Sequence, residues 1–241
     1  MSRPTLNSDR FLDAFSSIEK FLHRAAKKER GAPFYALVDT VGQSNPAVRH
    51  FARDLKEFAD LRNAIVHERT NGHVIAEPND RAVAEIERIV ETITNPPKVI
   101  PLFQTEVLRL QISDSVAEAV KSMYDRSFSQ IPVYDGEKFA GLLTTNTVAV
   151  WLGSCAEEEI FSLTETTIAT VLEYTEDEDN HLFVGRGTTL SEIQERFQEY
   201  ERRGKRLEAI LVTESGKATE NLLGVVTIWD LPKVRRELES G

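Results

Sequence analysis

Apolar residues recur at helical spacing through the first 95 positions of the chain. Phe11, Phe15, Ile18 and Leu22, widened by Leu12 and Phe21, mark one face of a helix over residues 7–29, with Asn7, Ser8 and Asp9 as candidate caps. It ends at Lys27, Lys28 and Arg30, where cations suit the negative end of the helix dipole. A short apolar stretch, Phe34–Val41, follows. Asn45 before Pro46 sets a cap ahead of a proline at the first helical position, and Val48, Phe51, Leu55, Phe58 and Ile65 carry that helix to about Arg69. Beyond a polar loop containing Asn71-Gly72, the positions Val83, Ile86, Ile89 or Val90, and Ile93 define a further helix that stops before Pro96-Pro97. An all-α bundle over residues 1–95 is predicted, with the double proline as its boundary.

From Lys98 strands mix with short helices, and the chain repeats itself. Ser115-Val-Ala-Glu118 and Thr189-Leu-Ser-Glu192 are matching capping boxes, each opening a helix. Each helix leads into a strand, Ile131–Tyr134 or Glu208–Val212, then a turn and a second strand ending in Gly-x-x-Thr. Gly141–Thr144 matches Gly224–Thr227. The glycines lie 83 residues apart and the capping boxes 74, so the second copy has gained nine residues. The turn Glu201–Arg206 and the loop Thr213–Glu220 are the natural places for them. One substitution separates the copies chemically: Asp230 follows the second threonine, and Thr147 holds that position in the first.

Composition adds limits. Hydrophobic residues at 41% and charged residues at 28% are those of a soluble globular protein, and no apolar run approaches the roughly 20 residues that span a bilayer. With no hydrophobic leader behind Met-Ser-Arg-Pro and a single cysteine, Cys155, a cytoplasmic protein without an internal disulfide or membrane association is expected. The net charge of −10 is uneven: residues 1–95 hold 14 basic and 14 acidic side chains, the remainder 15 and 25. Any contact with nucleic acid therefore falls to the first part, and there only locally. The acidic clusters Glu157–Glu159 and Glu176–Asp179 flank a short helical segment near Ile168–Leu172 and lack the glycine-centred loop of a calcium site, so they read as solvated turns. His67 and His73 lack further ligands at zinc spacing, and no metal is expected.

The duplicated unit, with its SVAEAV and TTLSEI helix starts, the IPVYDG hairpin and the GLLT and GVVTIWD elements, resembles the CBS domain in tandem. The resemblance covers roughly residues 98–238 and implies a disc-like pair whose cleft binds AMP, ADP or ATP as a regulatory ligand. Chemistry at the matched residues agrees with it: Asp230 can accept both ribose hydroxyls, Thr227 can donate toward a phosphate, and Lys205 and Arg206 can meet that phosphate. Main-chain groups of Glu208–Ile210 would face the adenine. The alternative for Thr227 and Asp230 is a strand end and a helix cap. Thr144 with Thr147 implies a first site that is weak or empty.

LRNAIVHER, Leu61–Arg69, resembles the R-x4-H motif of the HEPN superfamily, with Arg62, Asn63 and His67 on its defined positions. In ribonucleases of that superfamily the implied reaction is metal-independent attack of a ribose 2′-hydroxyl on the adjacent phosphate. Histidine exchanges the proton and arginine neutralises the phosphorane. Asn63 and His67 share a helix face, whereas Arg62 is about 140° away, a gap that a composite site across a dimer would close. Arg69 stands where toxin-type members carry tyrosine. The alternative is a packed, non-catalytic helix in which Arg62 pairs with Asp60, or with Glu57 across a dimer.

The expected class is α+β: a HEPN-like helical bundle over residues 1–95, then a tandem CBS pair over 98–241, with repeats at about 98–154 and 165–241. The expected function is a homodimeric, adenine-nucleotide-sensing regulator. The other reading is a nucleotide-regulated endoribonuclease that meets RNA through Arg62, Asn63 and His67.

Overall fold

The computed structural model describes residues 6–27, 32–67, 69–70, 73–74, 77–156 and 161–240. Lys28, Arg30, Asn71-Gly72 and the Glu157–Glu159 cluster lie outside the described residues, as do the side chains of His67 and His73. The chain divides into two compact units: Met1–Pro97 with Leu190–Glu192 and Arg235–Gly241, and Lys98–Thr189 with Ile193–Val234.

In the first unit, helices α1 (Asn7–Ala26), α2 (Phe34–Gly42), α3 (Pro46–His50), α4 (Ala52–His67) and α5 (Asp80–Thr94) supply one core. Phe11, Ile18, Leu22, Leu37, Leu55, Ile86 and Ile89 are fully buried in it. Each such side chain contributes about 1.5–3 kcal/mol relative to exposure. Phe11 meets Phe58 edge-on and Phe15 stacks on Phe34, tying α1 to α4 and α2. A two-stranded ladder, β1 (Arg69–Thr70) with β2 (His73–Val74), follows α4.

Two expectations need correcting. Leu6, without a side-chain bond, occupies the N-cap of α1. The Ser8 N–H is instead met at 3.1 Å by Glu77 Oε1, and Asn7 donates to Pro78 O and Asp80 Oδ1. A distant carboxylate thus takes the capping role. Nor is the helix from Pro46 continuous: Phe51 (φ −91°, ψ 11°) separates α3 from α4. Arg49 donates to Gly42 O and Gln43 O, capping the end of α2 and fixing α3 across it, while the Arg88 guanidinium lies 5.1 Å over the Phe51 ring.

The second unit opens with the single turn α6 (Val99–Leu102) and contains two three-stranded sheets of the same plan. In the first, β3 (Leu110–Gln111) runs parallel to β4 (Gln130–Asp135), which pairs antiparallel with β5 (Lys138–Thr144). In the second, β6 (His181–Gly185) runs parallel to β7 (Ala209–Thr213), which pairs antiparallel with β8 (Gly224–Val226). A parallel pair needs a crossover, supplied by α7 (Val116–Arg126) and α10 (Leu190–Arg202). Helices α8 (Thr145–Ser154) and α11 (Leu231–Ser240) follow the last strand of each sheet, and α9 (Ile168–Leu172) lies between the repeats. The Ser115 hydroxyl caps α7 by accepting the Glu118 N–H at 3.2 Å.

Strand alternation sorts the side chains into layers. Ile131, Val133 and Leu143 pack with Val116, Ala119 and Met123 of α7, so Leu142 points to the opposite face. There it meets Ala209 and Leu211 of β7, with Phe139, Phe183, Leu222 and Val225 around them. The two repeats therefore share a seam between their sheets. All five residues of β7 are 0% exposed, as expected of a strand covered on both faces.

The extra length of the second copy lies mainly in Glu214–Leu223, which joins β7 to β8 where Gly136–Glu137 joins β4 to β5. That loop is closed by its own polar groups. Ser215 donates its N–H and hydroxyl to the Glu220 carboxylate, and Gly216, at φ +88°, donates to Thr213 Oγ1.

The Ser215 donors, hydroxyl first, hold the Glu220 carboxyl down to about 2 from its ordinary 4.5. A folded-state value below the unfolded one gives stability that is present above about 4.5 and lost as pH falls toward about 2. Calorimetric scans should therefore show Glu220→Gln melting below wild type at neutral pH, with the gap closing over that acidic window. A gap independent of pH would contradict the assignment.

Candidate functional site

The second sheet delivers a polar group at its edge. β8 ends at Val226, Thr227 is extended (φ −117°, ψ 172°), and a single 3-10 turn over Ile228–Asp230 leads into α11. Asp230 Oδ2 accepts the Thr227 N–H at 2.8 Å and the Thr227 hydroxyl at 2.9 Å. Its second carboxylate oxygen has no partner among the described residues. Between the two residues, Ile228 and Trp229 face solvent, Trp229 at 81% exposure.

The corresponding turn of the first repeat lacks the bond back to the threonine N–H. Thr144 Oγ1 accepts the Thr147 N–H at 3.1 Å, and the two hydroxyls lie 3.0 Å apart. Both threonines are buried, at 5% and 3% exposure. Thr144 is an ordinary N-cap that spends its acceptor on its own helix, and Thr147 completes a neutral, closed pair. In the second repeat the charged side chain also reaches back to the Thr227 N–H, closing a reciprocal capping box that Thr147 does not form.

The other sequence-predicted residues are placed as follows. Lys205 Nζ lies 2.8 Å from Asp179 Oδ2; the hydrogen bond pushes Lys205 up and Asp179 down. Arg206 is exposed. Ile210 is fully buried, opposite Leu182 on one side and Val226 on the other, and its side chain faces away from the seam that holds Ala209 and Leu211. Just before it, the Glu208 N–H donates to Asn180 O at 2.7 Å and the Glu208 carbonyl accepts from Gln130 Nε2 at 3.4 Å. The main-chain edge expected to face a base is thus largely engaged within the protein. Within the two repeats, Thr227 with Asp230, and Thr144 with Thr147, are brought into direct contact.

The run that follows the Glu176–Asp179 cluster, to which the sequence pattern assigned no element, forms β6. Asn180 is buried and bonds His181 Nδ1 at 3.0 Å through its side chain. The His181 ring lies 4.9 Å from Phe139 of the first repeat and 5.8 Å from Phe183, and this desolvation lowers its pKa. The continuous apolar run Leu182-Phe183-Val184 was the available signal, since a short apolar run bounded by polar and glycine residues fits a strand better than a solvated loop.

On α4, Arg62 Nη1 donates to Asn63 Oδ1 at 3.2 Å, and Asn63 is exposed four residues before His67, the last residue of the helix. The pairing of Arg62 with Asp60 is not formed. Asp60 Oδ1 accepts the Tyr35 hydroxyl at 2.5 Å, a bond that raises the Tyr35 pKa, and Glu57 takes Arg53. Among the described residues no three His, Cys, Asp or Glu side chains gather as a metal site, and no helix is long and apolar enough to cross a membrane.

Residues 99–153 match the family model of the CBS domain. Solved structures similar to the chain include a protein with CBS domains from Burkholderia ambifaria, at 22% identity over 53% of this chain and 81% of that one, with a TM-score of 0.39. A CBS domain-containing protein from Kribbella flavida is 15% identical over 55% and 95% of the two chains, with a TM-score of 0.41. CBSX2 in complex with AMP is 14% identical over 57% and 95%, with a TM-score of 0.40. No curated protein matches the chain.

The strand-end geometry makes Asp230 the acceptor that orders its own turn. In Asp230→Ala the Thr227 amide should exchange with solvent about tenfold faster than in wild type, the usual scale for one charge-assisted hydrogen bond. Asp230→Asn should stay closer to wild type. Amide exchange read by NMR checks both, and equal rates in all three proteins would count against the arrangement.

Proposed function

We propose that residues 98–241 act as a tandem CBS pair that senses an adenine nucleotide, AMP, ADP or ATP, at one competent site, and passes that state to a HEPN-like helical domain over residues 1–95. The observation that supports this is the difference between the two strand ends. Asp230 presents an unpaired carboxylate oxygen at a solvent-facing turn, while Thr144 and Thr147 satisfy each other out of contact with water. A ribose diol binds a carboxylate as a pair of charge-assisted donors. The Thr227 hydroxyl, once released from Asp230, serves a phosphate oxygen, and Lys205 reaches the same phosphate from its exposed pair with Asp179. Arg206 adds charge beside it, and Ile210 lies across the ladder from the residue that precedes Thr227. The protein works as a homodimer in the cytoplasm in this reading. Val120 and Tyr124, four apart on α7, leave an apolar stripe with Tyr124 at 84% exposure, in keeping with a face that associates.

A second reading, metal-independent RNA cleavage at Arg62, Asn63 and His67, draws on the side-by-side placement of Arg62 and Asn63 on the outer face of α4. Arg62, held by a neutral amide and by no acid among the described residues, keeps its charge available for a phosphate.

Calorimetric titration with AMP, ADP and ATP tests the sensor. Wild type should bind at least one of the three, and Asp230→Ala should bind it more weakly by about a hundredfold or more, the scale of two hydrogen bonds to a charged group at about 1.5 kcal/mol each. Absence of binding by wild type, or equal binding by the variant, would end the proposal. Incubation with single-stranded and structured RNA in EDTA tests the second reading: cleavage by wild type should disappear in His67→Ala, and cleavage that persists unchanged would come from a contaminant.

A further inference from the structure

The edge strand that carries Thr227 and Asp230 is not bare. The Thr105 N–H donates to Leu223 O at 3.0 Å, immediately before β8, while the Leu223 N–H donates inward to Val212 O at 2.7 Å. Phe103 crosses directly over Gly224. A Cβ at that glycine would stand 2.1 Å from Phe103 O and 3.0 Å from its carbonyl carbon, so no side chain fits while the Phe103 backbone stays in place. Beyond the turn, Lys233 of α11 donates to Leu102 O at 3.2 Å and sits 4.8 Å over the Phe103 ring. The segment Val99–Thr105 is therefore held by residues on both sides of the Thr227–Asp230 turn, and its first amide, Val99 N–H, is bonded to Thr188 O of the same repeat. Covalently, it is the stretch that continues the chain from Pro97.

We propose that Val99–Thr105, with Phe103 over Gly224 at its centre, is the positioning element of the second-repeat site and the segment through which that site's occupancy is read. This rests on the nucleotide-sensing function proposed above. The physical reason is reciprocity: a segment that contacts both the strand before the turn and the helix after it fixes their spacing. If ligand binding requires that spacing, bound ligand stabilises the docked segment by the same factor. The turn carries the ligand-binding groups, and the segment carries the change along the chain without touching the ligand.

Two variants and one ligand separate the possibilities. Gly224→Ala forces Phe103 off the strand, and Lys233→Met removes the hydrogen bond and the cation over the ring from a solvent-facing position that leaves Thr227 and Asp230 untouched. With AMP, ADP or ATP, whichever wild type binds, hydrogen exchange at the Val99 and Thr105 amides should slow on saturation by about five- to tenfold, in the range of coupling between linked sites. In Lys233→Met the affinity should fall about fivefold and that ligand-dependent slowing should shrink. Gly224→Ala should show a larger loss of affinity. A wild type that binds nucleotide through Asp230 while the Val99 and Thr105 amides exchange at the same rate with and without it would overturn this proposal and leave the sensor standing. A wild type that binds none of the three would overturn both.

Discussion

A strand covered on both faces must have something apolar on each side, and β7 imposes that condition on the second unit. Its five residues are fully buried. One face, through Ala209 and Leu211, has to meet Leu142 of the first repeat, because a single sheet with one covering layer would leave it in water. The seam follows from this, and with it the arrangement of Phe139, His181 and Phe183. The same condition leaves β8 as the outer strand, where the turn bearing Thr227 and Asp230 reaches solvent. Unpaired main-chain groups along a strand edge are a liability, and the Thr105–Leu223 bond satisfies one of them.

Duplicate elements diverge most where chemistry is concerned. Both repeats place a threonine after the last strand and a polar residue three positions later. With threonine at both positions, the neutral pair turns inward and is buried. With aspartate at the second, the charge cannot be buried without a partner, so the carboxylate stays at the surface and recruits the Thr227 N–H and hydroxyl. One residue type thus decides whether a strand end is a sealed cap or an open acceptor.

Much of the local structure was legible in the chain. The periodicity from Phe11 to Leu22, the Asn45-Pro46 start, the Ser115 cap and the Asp135-Gly136 turn all act through neighbours a few residues away, and each appears where the pattern places it. What escaped depended on distant partners. Glu77 meets the start of α1 from 69 residues along the chain, Arg49 holds the short helix from Pro46 against the end of α2 through Gly42 O, and Asn180 engages Glu208, occupying a main-chain edge that looked open. A hydrogen bond across dozens of residues leaves no periodic trace, so spacing along the chain cannot reveal it.

For the candidate site the same division holds. The amino-acid sequence by itself determined the duplication, the identity of Asp230 against Thr147, and the placement of Arg62, Asn63 and His67 on one helix, because these are matters of composition and short-range period. Only the tertiary structure decided which capping bonds form at the two strand ends, the engagement of Lys205 with Asp179, and the need for glycine at 224. That glycine reads in the sequence as one member of a repeated motif. Its requirement comes from the Phe103 carbonyl, brought from 121 residues upstream to a distance at which no Cβ can stand.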